Sequence, residues 1–189
     1  MIRLNWPMAL CAFAMSFALI GTVRADDQMI DNPAYTSWAK FKAGTFVKYS
    51  TDVNAMGNAS SSQTTSTLKD INPDNATVEI KTSMVVAGNK MDMPATTQEI
   101  PAKVKKPDTT AAQATDAPKS ETSTEDVQAA GKTYSCKKTT VTSDQNGMTT
   151  KATTWTCDDI PGTMVKMEAE TTGSMTSSTK MTLTDFQAQ

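Results

Sequence analysis

Cys136 and Cys157 are two residues whose spacing could produce covalent chemistry. An Asn-Gly dipeptide at 146–147 lies between them and is a strong signal for a two-residue β-hairpin turn. With that turn Gln145 lies opposite Met148, and the same register sets the two cysteines opposite each other. Their Cα atoms would be about 4.5 Å apart on a non-hydrogen-bonded rung, which is within disulfide range. A three-residue loop would pair Cys136 with a threonine instead. The sequence therefore predicts a Cys136–Cys157 disulfide that staples the hairpin.

Four aromatic side chains are candidates for a ligand-binding wall. In the hairpin register, Tyr134 and Trp155 share a face with the two cysteines, while Trp38 and Phe41 lie near the N-terminus. One interpretation is a core in which aromatic rings surround the disulfide. The other is that Tyr134, Trp155, Trp38 and Phe41 line a cavity for an apolar ligand. Both interpretations stay open at this point.

Methionine is the one enriched residue with ligand chemistry. If residues 88–89 form a two-residue turn, Met84 faces Met93 and Val86 faces Met91, so three thioethers share one face. Soft thioethers can bind Cu(I), which makes Met84, Met91 and Met93 a candidate metal site. The alternative is that these methionines fill an irregular core, as methionine does where leucine is scarce.

Most catalytic chemistry is excluded by composition. The chain has no histidine, which removes Ser-His-Asp and Cys-His arrangements and most zinc sites. It also has no glycine-rich phosphate loop. The Ser-x-x-Lys match at 177–180 lacks its companion motifs. We therefore expect a protein that is not an enzyme and has no cofactor.

The first 25 residues have the features of a secretory signal peptide. Arg3 supplies the positive charge, 10–20 the apolar segment, and Val23 with Ala25 the small residues before cleavage. The apolar run is shorter than the ~20 residues of a spanning helix. We expect an exported bacterial protein, periplasmic or extracellular, that does not span the membrane after cleavage.

The expected mature chain is mildly acidic. The formal net charge of the whole chain is −2, and cleavage removes two arginines. The one basic run, "KVKK" at 103–106, is too short for the electrostatic surface of a nucleic-acid-binding protein. We therefore expect no nucleic-acid partner. An apolar small molecule or lipid is the remaining candidate partner, and the oligomeric state is left open.

A short helix is predicted at the start of the mature chain. Asn32 is a suitable N-cap, and Pro33 suits the first helical position. The three aromatic residues Tyr35, Trp38 and Phe41 follow at three-residue spacing. The helix would therefore present one aromatic face to a sheet.

The rest of the chain predicts antiparallel β structure. Short alternating runs are separated by turn residues, most clearly in 76–86. Pro161 and Gly162 suit the central positions of a type II turn. Residues 105–123 lack this alternation and are predicted to be a mobile loop within one domain of residues 26–189. The fold class is mainly β: a curved antiparallel meander or half-barrel of about eight to nine strands, with one short N-terminal helix.

Two stretches carry a resemblance to known proteins. "NPAYTSWAKFKAGTFVKYS" and "TWTCDDIPGTMVKMEAETTG" resemble segments of uncharacterised exported bacterial proteins. The order of a helix followed by a meander is similar to the periplasmic lipoprotein-carrier (LolA/LolB-like) superfamily. That resemblance implies a curved sheet around an apolar cavity, and no functional residue is transferred from it.

Three functions are therefore expected. The first is a periplasmic or envelope binding protein for an apolar ligand or acyl chain, because a curved meander has few large aliphatic residues to fill it. The second is a structural or protein-interaction module of the envelope with a packed core. The third is a methionine-based Cu(I) binder.

Overall fold

Twelve β-strands and one helix make up the described part of the chain. The computed structural model describes residues 28–86, 88–106, 118–145 and 147–189. The elements are β1 (Met29–Asp31), α1 (Pro33–Trp38), β2 (Phe46–Ala55), β3 (Asn58–Ile71), β4 (Asn75–Val86), β5 (Asn89–Asp92), β6 (Thr96–Pro101), β7 (Lys103–Lys105), β8 (Lys119–Ala129), β9 (Lys132–Gln145), β10 (Met148–Thr156), β11 (Met164–Thr172) and β12 (Ser177–Gln187).

Ten of these strands form one open antiparallel sheet. Its order is β5-β4-β3-β2-β12-β11-β10-β9-β8, and β6 pairs with β4 beside β5. β1 and β7 form a separate two-stranded sheet. The predicted fold class, an antiparallel meander with one short helix, is confirmed, although there are more strands than the eight or nine expected. The sheet does not close into a barrel.

The helix begins as the sequence predicts. The Asn32 Oδ1 atom accepts a hydrogen bond from Ala34 N at 3.0 Å, and Pro33 occupies the first turn. Tyr35 donates its hydroxyl to the carbonyl of Asn72 at 2.8 Å. The Tyr35 bond ties the helix to the turn between β3 and β4.

The sheet is strongly curled between β8 and β12. Three strands separate these two in the sheet order, yet some of their Cα atoms approach within 8 Å. Adjacent strands lie about 4.8 Å apart, so a flat arrangement would hold β8 and β12 much farther apart. The curl therefore makes one face of β8–β11 concave.

Buried apolar side chains lie at one end of the long strands. They include Val47 at the start of β2, Leu68 near the end of β3, Val78 near the start of β4, Tyr134 near the start of β9 and Trp155 near the end of β10. The opposite ends of these strands are rich in serine and threonine. The sheet thus has an apolar end and a polar end.

The two halves of the sheet bury opposite faces. The register through β12, β11 and β10 puts Leu183 on the same face as Tyr49 and Thr154. Trp155 therefore lies on the other face, because side chains alternate along a strand. Ile160, in the loop between β10 and β11, belongs to one buried cluster with Leu183 from one face and Trp155 from the other.

The Pro-Gly turn has the predicted geometry. Thr163 N donates to the Ile160 carbonyl at 2.8 Å, and Gly162 has a φ of +76°. Gly162 N also donates to Ser37 Oγ at 3.1 Å. This bond holds the turn against α1.

Two predicted segments have different outcomes. The signal peptide at 1–25 lies outside the described residues, as does 107–117 of the predicted mobile loop. Residues 119–123 of that loop form the start of β8, paired with β9. Within the described residues, no helix is long and apolar enough to cross a membrane.

Candidate functional site

The concave face of β8–β11 carries a groove with a volume of about 690 Å³, called here the Trp155 groove. Its walls combine hydroxyl, ammonium and carboxylate groups with one indole ring. The residues that matter most for its chemistry are Glu121, Lys138, Thr140, Thr153, Trp155 and Glu168. Glu121 on β8 and Glu168 on β11 lie on its two sides.

Trp155 is the structural base of this groove. Its side chain is only 4% exposed, and its cross-strand neighbours are Lys138 on β9 and Lys166 on β11. The two ammonium groups lie 5.3 Å and 4.4 Å from the ring centroid. Both are within cation–π range, so the ring holds a lysine on each side.

The lysines beside Trp155 are also paired with carboxylates. Lys138 Nζ donates to Glu125 Oε2 at 2.7 Å, and Lys166 Nζ lies 2.9 Å from Glu168 Oε1. The Lys138 hydrogen bond lowers the pKa of Glu125 against the opposing effect of burial, with a smaller contribution from the nearby Trp155 indole. These pairs fix the charged groups in place.

The indole N–H of Trp155 is buried without a partner of ordinary hydrogen-bond geometry among the described residues. The Glu125 carboxylate lies on its side of the ring, but the contact does not meet that geometry. A buried donor left unpaired usually costs about 1–3 kcal/mol. The ring is therefore held by packing and by the two lysines rather than by its N–H.

A second groove of about 560 Å³ continues across the sheet from β11 to β4. It shares Glu168 with the Trp155 groove and includes Asp52, Ser61 and Lys180. Sequence reasoning missed both grooves, because their walls come from eight strands whose registers had to be known together. Lys138, which lies opposite Trp155 in the hairpin register, was the one available signal.

The predicted Cys136–Cys157 disulfide is absent from the structure, where both residues are free, buried thiols. The hairpin register itself is confirmed, since Gln145 pairs with Met148 and the ladder continues to Lys137–Thr156. The ladder ends there because Cys157 leaves the strand and donates its N–H to Thr163 O at 2.7 Å. The cysteine rung assumed by the prediction is therefore not formed.

The two thiols make weak contacts of their own. Cys136 Sγ lies 3.5 Å from Tyr134 O, and Cys157 Sγ lies 3.8 Å from Asp159 Oδ2. Burial is the largest cause of the raised pKa of each thiol, and the neighbouring negative charges act in the same direction. Both are therefore protonated at pH values where an exposed cysteine is partly ionised.

Alkylation should distinguish these thiols from exposed ones. Because only the thiolate reacts readily, we expect iodoacetamide at pH 8 to label neither Cys136 nor Cys157 in the native protein. Both should be labelled after unfolding in urea without reductant, as measured by peptide mass spectrometry. A Ser120→Cys variant, exposed on β8, is the positive control. A disulfide-linked pair of peptides would contradict the structure.

The predicted methionine register is wrong. Met84 pairs with Met91, and Val86 pairs with Asn89, so Asn89 belongs to β5 rather than to the turn. Met93 lies beyond the end of β5, and its N–H bonds to Thr82 O at 2.9 Å. Met91 and Met93 are about half exposed, so they do not fill a core. The Cu(I) proposal for these three residues is not tested by this geometry.

The four predicted wall residues do not come together around one groove. Trp38 and Tyr134 are buried in the core cluster, and Phe41 packs against it with an edge-to-face contact to Phe186 at 6.0 Å. Trp155 also belongs to that cluster and reaches the groove. The grooves described above are lined mainly by polar groups, whereas the prediction was an apolar wall.

No family model matches the chain, and no curated protein matches it. A solved structure with some similarity is that of a candidate lipoprotein from Parabacteroides distasonis. It has 11% sequence identity and a TM-score of 0.43, and the match covers 81% of this chain and 98% of that chain. This likeness is too low to support an argument about this protein. The expected resemblance to the lipoprotein-carrier superfamily is not confirmed.

Proposed function

We propose that the protein is a non-catalytic binding protein of the bacterial cell envelope, with its ligand seated in the Trp155 groove. The observation that carries this proposal is the groove itself. A curled sheet supplies a cavity of about 690 Å³ whose charged walls are fixed by named ion pairs. Cavities of this size are typical of binding sites for small ligands.

The walls support a polar ligand over the apolar one expected from the sequence. Thr140 and Thr153 place their hydroxyl oxygens 3.1 Å apart in the groove, and Glu168 is held by Lys166. Burying such groups against an acyl chain would cost free energy, because they would lose water without gaining partners. A ligand with its own donors and acceptors would replace that water.

Export and the absence of catalysis are part of the same proposal. The signal-peptide pattern at 1–25 supports export. The lack of any histidine removes the commonest general base. Glu168, the carboxylate shared by the two grooves, is already engaged in an ion pair with Lys166 at 2.9 Å.

Ligand-induced stabilisation tests the proposal. We expect a pentapeptide or an oligosaccharide, but not a fatty acid, to raise the melting temperature by about 5–10 °C at one hundred times its Kd. The Thr140→Trp substitution would fill the groove and should abolish that shift. Thr139→Trp is the matched control, because Thr139 is the adjacent residue on the opposite face and is equally half-buried. A complete lack of shifts, or equal shifts in both variants, would overturn the proposal.

A second candidate is a protein-interaction module, favoured by apolar residues at the polar end. Met56, at the tip of the β2–β3 hairpin, is 67% exposed, and Met175, in the β11–β12 loop, is also exposed. The two tips are joined by a bond from Met56 N to Thr176 O at 3.0 Å. Exposed apolar side chains clustered in this way are common at contact surfaces.

A further inference from the structure

One row of side chains crosses eight strands on the face that carries the Trp155 groove. Each member is the direct cross-strand partner of the next, so all point to the same face. We call it the polar row. From β8 to β3 its members are Glu121, Thr140, Thr153, Glu168, Lys180, Asp52 and Ser61. The eighth strand adds Val85 on β4, after which the ladder continues to Lys90 on β5.

The polar row runs along the floors of both grooves, which meet at Glu168 and are together called here the channel. Glu121, Thr140 and Thr153 line the Trp155 groove, Lys180 and Asp52 line the second groove, and Glu168 lines both. At about 4.8 Å between strands, the row is on the order of 34 Å long along the curved sheet. A path of this length suits a polymer that bends with the curled sheet rather than a single small molecule.

We propose that this channel binds a polysaccharide chain that lies across the strands. The inference rests on the proposed function and names the chemical class of its ligand. A sugar polymer presents hydroxyl groups along its whole length, and the row offers three hydroxyls, three carboxylates and one ammonium group. Each can exchange a water hydrogen bond for one with the ligand, which avoids leaving buried polar groups unpaired.

The geometry of the row also gives it fixed hydrogen-bonding groups. Glu168 lies 2.9 Å from Lys166 and 4.0 Å from Lys180, and Thr140 and Thr153 are bonded to each other. A side chain that is already held loses less conformational freedom on binding. Trp155 is too buried to stack on a sugar ring, and its role is to hold Lys138 and Lys166.

Other polymers fit the channel less well. A nucleic acid needs a net positive surface for its phosphates, whereas the two grooves together carry four lysines and four carboxylates. An extended peptide commonly binds by adding a strand to a sheet edge through main-chain hydrogen bonds. The six central strands of the sheet, β9, β10, β11, β12, β2 and β3, already have neighbours on both sides. The channel floor therefore offers side chains alone.

Affinity electrophoresis of the purified protein tests this inference. The probes are native gels that contain a neutral β-glucan, xylan, galactomannan or alginate, together with pelleting on isolated peptidoglycan sacculi. We expect retardation or pelleting with at least one of these polymers. We also expect its loss in Thr140→Trp and in Ser61→Trp, which block the two grooves separately. Circular dichroism and thermal melting must first show that each variant is folded.

Matched substitutions on the opposite face supply the controls. Thr139→Trp and Ser62→Trp lie one residue away on the same strands, and all four positions are half-buried. Retention of binding in these two, with loss in the other two, supports the channel. If no polymer binds while a pentapeptide gives a thermal shift that Thr140→Trp abolishes, the proposed function stands and the polysaccharide inference is wrong. If polymers bind equally to all four variants, the channel is also ruled out.

Discussion

The substitution Trp155→Ala is expected to lower the free energy of unfolding by about 3–5 kcal/mol. Trp155 is only 4% exposed, and its ring lies between Lys138 and Lys166. Its removal would leave a void and would also take away the surface that holds both lysines. Domains of this size are usually stable by about 5–15 kcal/mol, so the variant would lose a large share of its stability. Urea unfolding followed by far-UV circular dichroism measures the change.

Trp155→Phe separates packing from hydrogen bonding at this position. The indole N–H has no partner of ordinary geometry, so its loss should cost little beside the loss of packing. A phenyl ring keeps most of the buried surface and leaves only a small void. We therefore expect Trp155→Phe to cost less than half as much as Trp155→Ala. Equal costs would mean that the N–H makes a bond on which the fold depends.

Local turn chemistry was predictable because it depends on a few adjacent residues. The Asn-Gly dipeptide at 146–147 gave the correct register for β9 and β10, and Pro161 with Gly162 gave the correct turn. The disulfide was not predictable from this register. It required the strand to continue for one more residue, and the bond from Cys157 N to Thr163 O ends the strand first.

The methionine hairpin shows how a single glycine can mislead. Gly88 was assigned to the first position of the turn, but it occupies the second, with a φ of +80°. That shift of one residue at the turn moved every predicted pair by two. In the structure Met84 therefore lies opposite Met91, whereas the predicted partner was Met93.

The channel could not be predicted because it is a property of the whole sheet. The β8 segment at 119–124 has no apolar alternation, and it is a strand because β9 supplies its partners. The polar row then depends on seven successive registers, each correct to the residue. Patterns within one strand contain none of this information, and the alternation of threonine with other polar residues is the same on both faces.

Leu68→Ala should have the second-largest effect, about 2–5 kcal/mol. Leu68 is 0% exposed and faces Val78 on β4. Its main-chain bonds, from Leu68 N to Thr45 O and from Gly44 N to Leu68 O, would remain in the variant. The loss therefore reports side-chain packing at the apolar end of the sheet.

Thr64→Ala is the matched comparison, since Thr64 lies on the same face of the same strand, four residues toward the polar end. It would lose only the contact between Thr64 Oγ1 and Thr82 Oγ1 at 3.3 Å, which is worth about 1 kcal/mol or less. We expect the urea midpoint to fall sharply for Leu68→Ala and little for Thr64→Ala, with the same m-value in both. This difference follows if the apolar end alone supplies the packing that holds the sheet together. The polar end is then free to carry substitutions and a ligand. Similar costs at the two positions would mean that the threonine ladders carry as much of the stability as the core.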